Sequence, residues 1–131
     1  MVHQGLSVIL KSKNGKFLLQ LRDDKKGIKA PNKWSLFGGG IEKGETPIKT
    51  AIREMKEELE LKSKEKDLSL ILLKKSKNHK HYFFFLKTKI NPKKLRLHEG
   101  QAMKLFSRNE IIGMKRVTLE TRLFFIFNKL N

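Results

Sequence analysis

Two rhythms of apolar positions run along this chain. Short apolar runs at Leu6 to Lys11 and Phe17 to Arg22 predict two strands, and the Asn14-Gly15 pair between them predicts a tight hairpin turn. The polar stretch Asp23 to Lys33, with Gly27 and Pro31, predicts a loop. Trp34 to Phe37 predicts a short strand running into Gly38, Gly39 and Gly40. There the rhythm changes. Ile48, Ala51, Ile52, Met55 and Leu59 recur at helical spacing and predict a helix over 46–60. Thr46 is its candidate N-cap and Pro47 suits the first helical position, while Lys49 rules out a capping box. The strand rhythm returns at Leu68 to Leu73 and Tyr82 to Ile90, with Lys74 to His81 expected as a basic, solvated turn. The Phe83-Phe84-Phe85 run reads as a strand buried on both faces, or with a single ring exposed. Pro92 to Gly100 is expected as a loop, Met103 to Phe106 as a last short strand, and Ser107 as the cap of a helical turn around Glu110 to Ile112. Thr118 to Leu130 is expected as a helix with Leu119, Leu123, Phe127 and Leu130 toward the core. Strands and helices mixed in this order imply an α/β fold, a mixed sheet with helices on both sides.

The polar face of the first helix changes the picture from fold to chemistry. Glu54, Glu57 and Glu58 stand at i, i+3 and i+4, so a helix brings their carboxylates onto one face. Like charges so placed repel by roughly 0.2–0.5 kcal/mol per pair. The chain carries 30 Lys and Arg against 13 Asp and Glu, for a formal net charge of +17, yet places no lysine at position 58 opposite Glu54. A divalent cation held by the carboxylates turns that repulsion into binding. The apolar stripe centres roughly 120° away around the same helix, so one face is buried and a neighbouring one presents acid.

The residues from Gly39 to Leu61 resemble the Nudix box, with Gly39, Glu45, Arg53, Glu54, Met55, Glu57, Glu58 and Leu61 at the matching places. Glu60 departs from it, standing where the family usually has a second glycine. The likeness extends to Trp34 to Glu45, which is similar to the approach segment of MutT-type members, and to Glu99-Gly100-Gln101, which resembles the loop that brings a further catalytic glutamate. The resemblance implies a Nudix-type α/β/α sandwich with a mixed sheet and a catalytic loop and helix, and Mg²⁺-dependent hydrolysis of a diphosphate bond in a nucleoside diphosphate derivative. Mn²⁺ is an alternative to Mg²⁺. A MutT-type nucleoside triphosphate pyrophosphatase is the favoured activity. ADP-sugars, dinucleoside polyphosphates and RNA 5′ ends stay open as substrates, as does a non-catalytic nucleotide- or RNA-binding role.

The same resemblance assigns candidate roles. Glu54, Glu57, Glu58, the Gly39 carbonyl and Glu45 are candidate metal ligands, although Glu45 could equally brace its loop. Arg53 is expected to pair with a carboxylate and orient Glu54. Glu99 and Glu54 are both candidates for general base, Glu99 ahead, because a base must reach the water that attacks phosphorus. Arg22 and Leu36 are candidate substrate contacts, and Trp34 is favoured as a packing residue. The glycine replaced by Glu60 is expected at a left-handed helix cap, so Glu60 either takes that strained conformation or lets the helix run on.

Composition sets the remaining bounds. The length of 131 residues fits one domain over 1–131. No apolar run has transmembrane length and no signal-peptide pattern opens the chain, so no membrane partner is expected. The absence of cysteine excludes disulfides and thiolate chemistry and suits a cytoplasmic setting. A nucleotide is the expected partner of a monomer or homodimer. The basic surface would attract nucleic acid, but arginine is scarce and aromatics are not interleaved with the basic runs, so RNA is not favoured.

Overall fold

The computed structural model describes residues 2–130; Met1 and Asn131 lie outside the described residues. Its strands are β1 (His3–Ile9), β2 (Phe17–Leu21), β3 (Trp34–Ser35), β4 (Phe37–Gly40), β5 (Leu68–Lys75), β6 (His79–Leu86) and β7 (Ala102–Phe106). Its helices are α1 (Pro47–Leu59), α2 (Arg108–Gly113) and α3 (Leu119–Phe127). One mixed sheet has the order β4-β1-β6-β5, with β1 parallel to β6 and the other neighbours antiparallel. A smaller antiparallel sheet has the order β3-β2-β7.

Strands with apolar residues on both faces require cover on both sides. Leu6, Val8 and Leu10 share one cluster with Leu18, Phe37, Phe84 and the α1 residues Ala51, Met55 and Leu59. Ile9, Phe17, Leu19 and Phe83 point into a second cluster with Ile111 of α2 and Phe124 and Phe125 of α3. The sandwich is therefore α1, sheet, then α2 and α3. The three consecutive phenylalanines serve both clusters, as a strand buried on its two faces must.

Three local expectations are corrected. The first two strands do turn tightly, with the Ser12 N–H donating to the Lys16 carbonyl at 2.8 Å and the Leu18 N–H to the Leu10 carbonyl at 3.0 Å. They then part into different sheets, because each finds partners from far along the chain that bury more than a lone hairpin could. The basic run Lys74 to His81 is mostly strand. β5 continues through Lys75, and His79 to His81 pair with His3 to Gly5 of β1, leaving only Ser76 to Asn78 as the turn. Finally, α3 ends at Phe127 and is rotated from the expected face. Thr121, Phe124 and Phe125 are buried, whereas Leu119 is 66% and Phe127 78% exposed. A helix apolar on most sides permits either rotation. The Leu36 N–H, donating to the Thr121 hydroxyl at 3.3 Å, ties this helix to the strands.

Candidate active site

The acidic helix begins as its sequence demands. The Thr46 side chain accepts from the Lys49 N–H, Pro47 opens the first turn, and Ala51, Met55 and Leu59 anchor α1 on the four-stranded sheet. That anchoring turns Glu54 and Glu58 toward the glycines of β4. A Cβ built on Gly39 would lie 2.5 Å from Glu54 Oε1, so only glycine lets the backbone pass so close to this carboxylate.

Glu58 is the most unusual group in the molecule. It is 2% exposed, and its Oε2 is buried with no hydrogen-bond partner among the described residues. Burial pushes its carboxyl up to about 9, with the charges of Glu54 and Glu99 adding to the effect. Glu54 is raised as well, by burial first, against the pull of Arg53. Each carboxyl disfavours charge on the other, and a proton shared between them would offset the repulsion. Removing water from an unpaired carboxylate costs several kcal/mol, so the pocket disfavours charge on Glu58 unless a cation accompanies it.

Arg53 organises the other acids. Its Nε donates to Glu45 Oε2 at 2.7 Å and its Nη2 to Glu45 Oε1 at 2.9 Å, a two-pronged grip. Its Nη1 donates to Glu54 Oε1 at 3.3 Å and Glu57 Oε2 at 3.1 Å. The Arg53 bonds hold the Glu45 carboxyl down at about 2. Glu45 Oε1 also accepts from the Thr50 hydroxyl and the Glu42 N–H. Both its oxygens are thus spent on bracing the loop before α1, while Glu57 is exposed on the Arg53 side.

The helix ends at Glu60, which adopts φ 55° and ψ 30°, the left-handed conformation. The Glu60 N–H donates to the Lys56 carbonyl and the Leu61 N–H to the Met55 carbonyl, closing the helix as a glycine would. A non-glycine residue accepts roughly 1–2 kcal/mol of strain for this. The loop bearing Glu99 lies across this end of the helix, where the His98 N–H donates to the Glu58 carbonyl at 2.8 Å. Glu99 is exposed, and its charge reaches both Glu54 and Glu58.

The remaining sequence candidates fall apart spatially. Arg22 uses its Nε on the Lys29 carbonyl at 2.9 Å, shaping the loop after β2. Leu36 lies in the second core cluster at 6% exposure, so it is a packing residue rather than a substrate contact. Trp34 packs its ring edge on Phe106. A residue expected in a solvated turn, His81, borders Gly39 instead. His81 bonds through Nε2 to the Ser7 hydroxyl at 2.8 Å and lies 3.3 Å from Glu120. Burial lowers its pKa, against the pull of Glu120. A Cβ on Gly5 would sit 3.4 Å from both the His81 Nδ1 and the Gly39 carbonyl, so Gly5 opens a gap between them. Only the continuation of β6 through the basic run, which pairs His81 with Gly5, could have revealed this.

The comparisons with known proteins agree with this fold. The NUDIX domain family model matches residues 1–124, and the chain belongs to that family. It is a Nudix hydrolase, of a family that works with divalent metals on nucleotide substrates. Among solved structures it is similar to a MutT protein from Methanosarcina mazei Go1, at TM-score 0.77 and 21% identity over 95% of this chain and 91% of that one. A NUDIX-family hydrolase from Clostridium perfringens superposes at TM-score 0.68 and 20% identity, covering 96% and 94% of the two chains. The E. coli dihydroneopterin triphosphate pyrophosphohydrolase does so at TM-score 0.67 and 19% identity, covering 93% and 91%. At these identities the likeness carries the fold alone. No curated protein matches the chain.

Proposed function

We propose that this chain is a Mg²⁺-dependent pyrophosphohydrolase that converts a nucleoside triphosphate to a nucleoside monophosphate and pyrophosphate. The observation that carries this reading is the buried Glu58 carboxyl with an unpartnered oxygen against Glu54. Two carboxylates and a backbone carbonyl are the oxygen donors a hard cation takes, with waters and substrate phosphates completing its shell. Glu54, Glu58 and the Gly39 carbonyl would hold the ion. When bound it neutralises the phosphates and acidifies an attacking water.

The chain's own residues do the rest. Arg53 keeps Glu54 turned inward by its 3.3 Å bond and leaves the bracing to Glu45. Glu99, exposed and within electrostatic reach of the pair, takes the proton from water as its oxygen bonds to phosphorus. The bridging P–O bond breaks, and its electron pair leaves on pyrophosphate. His81 and Ser7, across Gly5 from the Gly39 carbonyl, would offer polar contacts to the nucleoside.

The test is product analysis over a panel of nucleoside triphosphates, ADP-sugars, dinucleoside polyphosphates and 5′-triphosphorylated RNA, each with Mg²⁺ and with EDTA. Pyrophosphate released from a triphosphate only with metal supports the reading. Turnover confined to another member reassigns the substrate, and no turnover with any leaves a binding module.

A further inference from the structure

The one departure from the family pattern, Glu60, lies on the seam between α1 and the Glu99 loop. Its Oε2 is 2.5 Å from the His98 Nε2. On the same side of the seam, the Arg96 N–H donates to the Leu59 carbonyl at 3.1 Å and the His98 N–H to the Glu58 carbonyl at 2.8 Å. Beyond Glu99 the chain is fixed again: the Gln101 N–H donates to the Leu21 carbonyl at 2.8 Å, and its Nε2 to the Arg22 carbonyl at 2.8 Å and Asn32 Oδ1 at 3.0 Å. Glu99 hangs between these two anchors with no hydrogen bond of its own among the described residues.

We propose that the Glu60–His98 pair is a latch that positions Glu99. Glu60 acts on the reaction through its neighbour, not by touching substrate. Both side chains are half exposed, at 51% and 50%. Exposed pairs of this kind add little to global stability, so an overall stabilising role does not account for a residue that also takes a left-handed backbone. Local placement does. His98 is bonded to the carbonyl of Glu58 and adjoins Glu99, so a few tenths of an ångström of slack there moves the loop relative to both carboxyls of the site. A glycine at position 60 would close the helix equally well and leave the His98 ring without that partner.

This inference rests on the reading of Glu99 as base, and the test separates the two. Glu60→Gly relieves the backbone strain and removes the latch. Were Glu60 only a helix cap, the variant would be as stable or more stable and fully active. The latch predicts an unchanged or raised Tm, a kcat lower by about tenfold or more, and a KM within about twofold, as expected when a reacting group is misplaced. Amide exchange at His98 and Glu99 in the metal-free protein accelerates, while that of the α1 interior does not. Glu60→Gln keeps an acceptor for His98 and recovers most of the rate. His98→Ala reproduces the loss, and the Glu60→Gly/His98→Ala double variant is no worse than either single one. A Glu60→Gly kcat within about twofold of wild type overturns the latch, whatever the exchange shows. If Glu99→Gln, assayed alongside, is impaired while Glu60→Gly is not, the latch alone fails. If Glu99→Gln has the wild-type rate, the reading of Glu99 fails and the latch with it.

Discussion

Glu58→Gln is expected to stabilise the metal-free protein while disabling it. Glu58 carries a proton in the folded state up to about pH 9, because burial and the neighbouring Glu54 disfavour its charge. In the unfolded chain the same group ionises near pH 4.5. Its folded pKa is raised, so its contribution to stability is fully present below about 4.5 and is lost as pH rises toward 9. Between those limits the native state holds one proton more than the unfolded chain. That corresponds to a loss of about 1.4 kcal/mol per pH unit, or about 2.7 kcal/mol from pH 6 to pH 8 as an upper bound. Relaxation of the pocket and coupling to Glu54 make the loss smaller than this bound. A glutamine has nothing to ionise, can donate to Glu54 and keeps an acceptor for the Gly38 amide. The assay is urea denaturation in EDTA at pH 6, 7 and 8 for both proteins. Wild type should weaken more steeply across this range than the variant, which keeps only the raised carboxyl of Glu54, leaving the variant ahead at pH 8. His81, whose lowered pKa acts in the opposite sense near pH 6, is common to both and cancels. Activity with Mg²⁺ should fall by roughly a hundredfold or more, through loss of a charge needed for metal-bound catalysis. Parallel stability curves, or a variant weaker than wild type at pH 8, would refute the account of the buried carboxyl.

Other outcomes follow from the same geometry. Glu99→Gln should lower kcat by about 10²–10⁴-fold if it removes the base, with the Mg²⁺ requirement unchanged; a rate restored by excess Mg²⁺ would make Glu99 a ligand instead. Gly39→Ala should cut kcat by about tenfold or more with the fold intact by circular dichroism, because the new methyl must displace a carboxylate now 2.5 Å from it; wild-type activity would show that Glu54 does not need its present place. Arg53→Lys cannot reproduce the two-pronged grip on Glu45, so kcat should fall and the Glu45 carboxyl should titrate nearer its ordinary range by NMR. An unchanged Glu45 titration would show that its loop holds it without Arg53.

The helix and its acids were legible because spacing fixes them. Helical period places Glu54 and Glu58 on one face wherever the helix goes, and Thr46 and Pro47 mark its start. What spacing cannot express is which chain passes alongside. The buried state of Glu58 depends on β4 and on the Glu99 loop, and the division of labour between Glu45 and Glu57 depends on where one guanidinium points. Leu36 looked like a site residue because it precedes the glycines, but strand alternation turns it into the second core cluster. His81 was missed because charge made its segment look like a turn. A ladder to β1 decided otherwise, and partners so far away leave no trace in the local pattern. The rotation of α3 was ambiguous for a related reason, since an apolar helix offers more than one face to bury.

The division of β1 and β2 between two sheets has a kinetic consequence. β1 zips to β6, His3 facing His79, and β2 to β7, Phe17 facing Phe106, so both pairings require long loops to close before any contact rewards them. Helix α1, by contrast, is built from local bonds and a side-chain cap. The Glu99 loop lies between β6 and β7, so its fixed place against the helix depends on both ladders. On refolding from denaturant, helical ellipticity should return before catalytic competence, and the lag between them should lengthen in variants that weaken the β2–β7 ladder without touching a single acid of the site.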